Sequence, residues 1–128
     1  MLLKSLSDSN NMVEKLGVGI DIADITDFKK NPYQEKPGFY ELIFQSSEIN
    51  YCLKFQDYSS HFAGKFALKE AVKKSINDNI YISKIETFHL KSKPMIKLLD
   101  FKNKYDFRAS ISHENDYAVA IVISELIN

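Results

Sequence analysis

Only four glycines occur in the 128 residues of this chain, and two of them stand two positions apart, in Leu16-Gly17-Val18-Gly19-Ile20-Asp21-Ile22. The alternation over Leu16 to Ile25 reads as a β-strand leading into a turn. It sets Val18, Ile20 and Ile22 on one face and Gly17, Gly19 and Asp21 on the other. Two glycines on one strand face offer no side chains to pack, so a neighbouring backbone or a ligand must come close there. Whatever fold the chain adopts has to satisfy that approach and carry Asp21 beside it.

The clearest helix is predicted over Ser59 to Ile76, where Phe62 and Phe66 recur with Ala63, Ala67 and Ala71 at spacings of three and four. Ser59 or Ser60 is its expected cap. Shorter helices are expected over Asp24 to Lys30, stopped by Pro32, and over Ile49 to Phe55, started by Gln45-Ser46-Ser47-Glu48. Asn31 to Gly38, with two prolines and a glycine, reads as loop. Strands are expected over Ile80 to Leu90, Met95 to Leu99, Phe107 to Ser112 and Tyr117 to Ser124. Lys91 to Pro94, Lys102 to Asp106 and His113 to Asp116 connect them. A strand, then helices, then several strands is an α+β order rather than a β-α-β series.

Length and charge narrow the function classes. A chain of 128 residues makes one domain, here residues 16–128 behind an N-terminal extension, residues 1–15. Seventeen basic and seventeen acidic residues exclude nucleic-acid binding through bulk positive charge. No apolar run reaches the roughly 20 residues of a membrane helix. Cys52 is the only cysteine, so neither an internal disulfide nor a cysteine zinc site is possible, and a cytoplasmic setting is expected. Charge is nevertheless uneven: Lys65, Lys69, Lys73 and Lys74 crowd around a single acid, Glu70. A lysine run ordinarily marks a solvated helix face.

Three residues stand out as chemistry: Asp21 at the glycine-bearing strand, Glu70 among the helix lysines, and His113 in Ser112-His113-Glu114. Taken singly, each has an ordinary explanation. Asp21 can cap a strand end, Glu70 can pair with Lys74 at i+4, and His113 can hydrogen-bond within a turn. Together, two carboxylates can hold a hard divalent cation such as Mg²⁺ through oxygen, and lysines around them can meet phosphate oxygens. Phosphate-loop, nucleophile-elbow and His-Glu-x-x-His patterns are absent. His61, His89 and His113 are far apart in sequence, which argues against a histidine-rich zinc site.

Three blocks in order resemble the holo-acyl-carrier-protein synthase family, the small 4′-phosphopantetheinyl transferases. They are Gly17-Val18-Gly19-Ile20-Asp21-Ile22, then Phe62-Ala63-Gly64-Lys65-Phe66-Ala67-Leu68-Lys69-Glu70-Ala71, then Ser110-Ile111-Ser112-His113-Glu114 with Tyr117-Ala118-Val119-Ala120. Ser92-Lys93-Pro94 stands where the family has Gly-Lys-Pro. The resemblance implies an α+β domain of that type, an antiparallel-rich sheet packed on a long helix, commonly a homotrimer with active sites between subunits. It implies Mg²⁺-dependent transfer of the 4′-phosphopantetheine arm of coenzyme A to a serine of an apo acyl carrier protein, releasing adenosine 3′,5′-bisphosphate.

By the same resemblance, Asp21 and Glu70 are the metal carboxylates, and Lys74 is the lysine near the pyrophosphate, completing a catalytic set. Lys65, Lys69, Lys74, Ser112 and His113 are implied to bind coenzyme A, His113 near the 3′-phosphate. Four departures stand out. Ser75-Ile76-Asn77-Asp78-Asn79 replaces a Gly-Thr-Gly loop, Lys65 replaces an arginine, Asp27 occupies the position of an arginine that meets the carrier, and Met1 to Lys15 precede the usual start. The altered loop and Asp27 motivate the alternative of a relative that binds coenzyme A or a carrier protein without transfer.

Overall fold

A computed structural model describes residues 15–127. The expected extension lies outside the described residues apart from Lys15. The chain runs β1 (Leu16–Asp24), α1 (Ile25–Lys30), α2 (Pro37–Ile43), α3 (Ser46–Leu53), α4 (Tyr58–Ser75), a 3₁₀ turn (Ile82–Lys84), β2 (Ile85–Leu90), β3 (Lys93–Leu98), β4 (Lys104–Glu114) and β5 (Tyr117–Ile127). β1, β5 and β4 form one antiparallel sheet in that order, and β2 pairs with β3 in a separate hairpin. This is the expected α+β arrangement, with the long helix α4 laid across the sheet.

The glycines of β1 explain how α4 sits. A Cβ on Gly17 would lie 1.7 Å from the Ser75 carbonyl oxygen, and one on Gly19 would lie 1.9 Å from that of Ala71. Strand and helix therefore meet backbone to backbone. β5 completes the contact with small inward residues, Ala118, Ala120, Val122 and Ser124, all buried. Ser124 Oγ donates to the Ser75 carbonyl at 2.8 Å, tying the helix end to the sheet. Phe62, Ala63, Ala67, Leu68, Ala71 and Val72 of α4 are fully buried in the core.

The helix ends obey simple chemistry, with some changes of residue. Asp57, not a serine, caps α4, accepting from the Ser60 N–H at 3.4 Å and its hydroxyl at 2.6 Å. Gln45 and Glu48 form a capping box at the start of α3. Asp24 caps α1 by accepting from Thr26 N–H at 2.9 Å. The expected loop over Asn31 to Gly38 ends sooner than expected, because Pro37 supplies the preset φ of a first helical turn.

β4 is longer than expected in both directions. Lys104 and Asp106 belong to it, and so does His113, since only Asn115 and Asp116 make the turn into β5. Asn115 takes a positive φ of 54°, a conformation that asparagine tolerates. The predicted strand from Ile80 is cut to Ile85–Leu90 by the 3₁₀ turn. Lys91 and Ser92, at φ 50° and 66°, make a two-residue turn between β2 and β3.

Candidate active site

Asp21 meets Lys74 at the C-terminal half of α4, and Glu70 lies one helical turn before Lys74 on the same helix. Asp21 projects from β1 on the glycine face, and its side chain is 15% exposed. Lys74 Nζ donates to Asp21 Oδ1 at 2.9 Å and to the Ile20 carbonyl at 3.2 Å. The Asp21 hydrogen bond, the Asp21 charge and the Glu70 charge together hold the Lys74 ammonium above the ordinary lysine range. One cation thus feels both carboxylates. Among the described residues no third histidine, cysteine or acid joins them in a cluster able to enclose a metal. Two oxygen donors with open space suit a hard, hydrated divalent cation that takes its remaining ligands from water and substrate phosphate.

His113 and Lys65 border a different feature, a cavity of about 1000 Å³ along β4 and the β2–β3 hairpin. His113 Nε2 sits 3.1 Å from the Ser60 carbonyl, against the N-terminal part of α4. A Cβ on Gly64 would come within 3.1 Å of that nitrogen, so the glycine makes room for the ring. Lys93 and Arg108, the only arginine of the chain, add positive charge to the wall. His61 and His89 line it as well, so three histidines remote in sequence share one cavity. Burial is the main force holding His61 and His89 below the ordinary histidine range. His61 stacks on Phe55 at 3.7 Å and His89 on Tyr51 at 4.9 Å. His89 Nδ1 is a buried nitrogen without a hydrogen-bond partner among the described residues.

Lys69, expected at the ligand, is fully buried. Its ammonium contacts Glu48 Oε1 at 2.7 Å, the Ile43 carbonyl at 2.6 Å and the Ile82 carbonyl at 3.3 Å, which occupies all three N–H donors. Burial pulls its proton affinity down while Glu48 pulls it up, with burial the larger effect. Lys69 is therefore placed inside the protein, joining α4 to α3, rather than on the cavity wall. Ser112 points the other way from His113, because adjacent strand residues face opposite sides; it is exposed on the outer face of the sheet, paired with Val119. The structure thus groups Asp21, Glu70 and Lys74 at one place, Lys65 and His113 at another, and leaves Lys69 and Ser112 outside both.

The glycine-free loop after α4 lies next to Lys74. Asn77 and Asp78 border a smaller cavity of about 300 Å³ that also touches Gly17, Lys74 and Tyr105. Among the described residues, none of Asn77, Asp78 and Asn79 has a positive φ, so the loop manages without the conformation glycine supplies. Asp78 is instead pinned by Asn103 Nδ2 at 3.0 Å and by the Tyr105 hydroxyl. Burial and that carboxylate push the Tyr105 phenol up to about 12. Asp27, Lys29 and Lys30 are all exposed on α1, and Asp27 borders a notch with Phe28, Lys36, Phe39 and Phe66.

Comparison with known proteins fits this geometry. The family model of the 4′-phosphopantetheinyl transferase superfamily matches residues 17–122. A holo-(acyl-carrier-protein) synthase of Thermodesulfovibrio yellowstonii is 36% identical over 112 residues, covering 84% of this chain and 96% of the relative. One from Helicobacter pylori is 36% identical over 124 residues, covering 87% and 98%. Among solved structures, a Helicobacter pylori holo-(acyl-carrier-protein) synthase in complex with coenzyme A superposes with a TM-score of 0.70 at 34% identity, covering 84% of this chain and 99% of the other. A Bacillus anthracis synthase in complex with coenzyme A gives 0.69 at 28%, covering 85% and 95%. Match of model, relatives and fold over nearly all described residues places this chain in the 4′-phosphopantetheinyl transferase superfamily.

Proposed function

We propose that the chain is a holo-acyl-carrier-protein synthase that moves the 4′-phosphopantetheine arm of coenzyme A to a serine of an apo acyl carrier protein. The serine oxygen forms a bond to the phosphorus next to the pantetheine arm. The pyrophosphate bridge breaks, and adenosine 3′,5′-bisphosphate leaves with the bridging oxygen. The observation that carries this reading is the division of labour along α4: a carboxylate pair with one ammonium at its C-terminal half, and a basic cavity at its N-terminal half.

Asp21 and Glu70 are the residues that would hold Mg²⁺. When bound, the ion neutralises the charge that develops on the pyrophosphate as it is split. Lys74 lies where its ammonium can bind a phosphoryl oxygen; Asp21 keeps it protonated and aimed. Positive charge fixed in advance near the leaving phosphate favours the transition state over the ground state. Lys65 and His113 meet the nucleotide end, where Lys65 is a point charge without the bidentate fork of an arginine. Lys69 serves as a structural ion rather than a direct contact.

Gly64 and Lys74 are about 15 Å apart along α4 at 1.5 Å per residue, and the two groups flank β4 and β1, the two outer strands of the sheet. One chain therefore presents two half-sites. A homotrimer joins the carboxylate half of one subunit to the nucleotide half of the next. The outer face of the sheet supplies the surface for it: Val18, Ile20, Ile22, Ile121 and Ile123 are 42–64% exposed, and Val18 lies opposite Ile123 as Ile20 lies opposite Ile121. A contiguous apolar patch of this kind favours an association surface. No helix among the described residues is long and apolar enough to cross a membrane. Cys52 is buried with its thiol pushed up to about 12, which suits a cytoplasmic protein that does not depend on disulfides.

The partner is an apo carrier protein docked on α1. Asp27 there would repel an ordinary acidic carrier helix, so the cognate carrier is less acidic or docks on Lys29 and Lys30. The test is intact-mass spectrometry of a panel of apo carriers incubated with the protein, coenzyme A and Mg²⁺. A carrier that gains one phosphopantetheine, and no longer does so with a chelator or with Asp21→Ala or Glu70→Ala, supports the assignment. Coenzyme A binding without transfer to any carrier would favour a non-catalytic relative instead.

A further inference from the structure

Lys65 borders the large cavity yet is only 2% exposed. Its ammonium donates to the Thr87 carbonyl at 3.1 Å and to Thr87 Oγ1 at 3.0 Å, and lies 4.7 Å from the centre of the Tyr51 ring. An ammonium has three N–H groups, so among the described residues one is left without an oxygen acceptor. Thr87, 2% exposed on β2, is itself gripped from behind. Its N–H donates to Glu48 Oε2 at 3.1 Å and its hydroxyl donates to the same oxygen at 2.5 Å. A threonine hydroxyl has a single hydrogen. Because Glu48 takes it, the lone pairs of Oγ1 are turned toward Lys65, and the residue can only act as an acceptor there.

The charges around this relay do not cancel. Glu48, Lys69 and Lys65 are all fully or almost fully buried, so one negative charge faces two positive ones. Lys69 takes Glu48 Oε1 and Thr87 takes Oε2. The Glu86 carboxylate, which accepts from the Ser47 hydroxyl at 2.8 Å, attracts both lysines from nearer the solvent and more weakly than Glu48 does. The surplus positive charge sits on Lys65 at the cavity wall, where Lys93 and His113 also lie. A buried, unbalanced cation with one open N–H calls for an anion.

We propose that Thr87 is a positioning residue: its hydroxyl, locked as a donor to Glu48, holds the Lys65 ammonium at the cavity wall where an anionic phosphate of coenzyme A binds. The inference rests on the functional reading above. It assigns a task to Glu48 and Thr87, which are buried and do not line the cavity. Thr87→Val removes the hydroxyl while keeping shape, the Thr87 backbone contacts and the Glu48–Lys69 pair. Thr87→Ser restores the hydroxyl, and Thr87→Ala removes it a second way.

Two measurements test it. By calorimetry with coenzyme A, Thr87→Val and Thr87→Ala should bind roughly tenfold more weakly, the scale of one charge-assisted hydrogen bond, and Thr87→Ser should stay within about twofold of the parent on the same scale. By ¹⁵N-detected NMR of lysine side chains, the Lys65 ammonium protons should exchange slowly in the parent and in Thr87→Ser, and fast in Thr87→Val. Unchanged affinity in folded Thr87→Val, or equal losses in Thr87→Ser and Thr87→Val, would overturn the positioning role. Unchanged exchange at Lys65 would overturn it whatever the ligand. A parent protein that binds no coenzyme A would instead bring down the functional reading, and the phosphate assignment with it.

Discussion

Replacing Gly19 by alanine tests the central packing argument with one methyl group. Built on the backbone, the new Cβ lies 1.9 Å from the Ala71 carbonyl oxygen and 2.9 Å from both the Ala71 carbonyl carbon and Ser75 N, where real Cβ atoms keep beyond 3.0 Å. Both walls are backbone, one a helix and one a strand paired over nine residues, so neither can swing aside as a side chain would. The two elements must separate by roughly an ångström in a close-packed interior. Overpacking of this kind costs about 1–3 kcal/mol, and rigid walls put this case at the upper end. At roughly 4 °C or more per kcal/mol for a domain near this size, the melting temperature should fall by about 10 °C. Gly38→Ala is the control. That position is exposed in the first turn of α2 with nothing within 4 Å of a new Cβ. It should be neutral or gain about 0.4–1 kcal/mol through the unfolded chain. Urea unfolding at fixed protein concentration reads both. A loss below about 1 kcal/mol for Gly19→Ala, with an unchanged m-value, would refute the backbone-to-backbone contact.

Removing the Lys69 charge should be as damaging as removing a large core side chain. Lys69→Met leaves Glu48 buried and unpaired, at a cost of about 3–5 kcal/mol in urea unfolding, whereas Glu48→Gln combined with Lys69→Met should recover more than 1 kcal/mol of it, on the scale of coupling between touching residues; additive losses would count against the pair. Acid should weaken the fold through His61 and His89. Burial lowers both in the folded state, so the unfolded chain takes up protons first as pH drops below about 6.5, and stability present above that pH is lost beneath it. His89→Phe should flatten the fall in urea midpoint between about pH 6.5 and 5; an equally steep fall would refute it. Asp27→Arg should speed modification of an acidic carrier by removing like-charge repulsion, and should do so less at high salt. An unchanged rate at low salt would show that α1 does not face the carrier's acidic helix.

What was legible in the sequence was whatever its local period could encode. The spacing of Gly17, Gly19 and Asp21 gave a strand with a bare face, and the pairing of Glu70 with Lys74 placed both at one end of a helix. The lysine run was misleading for a physical reason. Lys65 and Lys69 sit one turn apart on the face that turns inward, and the groups that make burial tolerable, Glu48 and Thr87, come from segments 21 and 22 residues away. Nothing within the run announces them. The capping-box glutamate Glu48 could be read as a helix start, but not as the counter-ion of a buried lysine. The three histidines were likewise scattered in sequence, and only the fold of β2 and β4 around α4 gathers them. His113 was expected in a turn because the polar run after Ser112 hid an alternation that continues from Tyr105 through Phe107, Ala109 and Ile111.

β1 ties the position of Asp21 to the exposed apolar face of the sheet. Its odd-numbered residues face α4: Gly17 and Gly19 admit the helix, and Asp21 reaches Lys74. Its even-numbered residues, Leu16, Val18, Ile20 and Ile22, are 56–64% exposed on the outer face. In most half-buried strands the apolar face turns inward. Here the inward face carries Gly17, Gly19 and Asp21, so the apolar face is the exposed one. A one-residue slip against β5 would exchange the two sets, drive Ile20 into the Ala71 carbonyl and carry Asp21 to the outer face. The register that pairs Ile20 with Ile121 and Asp21 with Ala120 therefore sets the carboxylate and the exposed apolar face at once. Under the assembly proposed above, the carboxylate end and the nucleotide end of α4 become one site only when that surface is covered, so a charge placed at Val18 would disturb both.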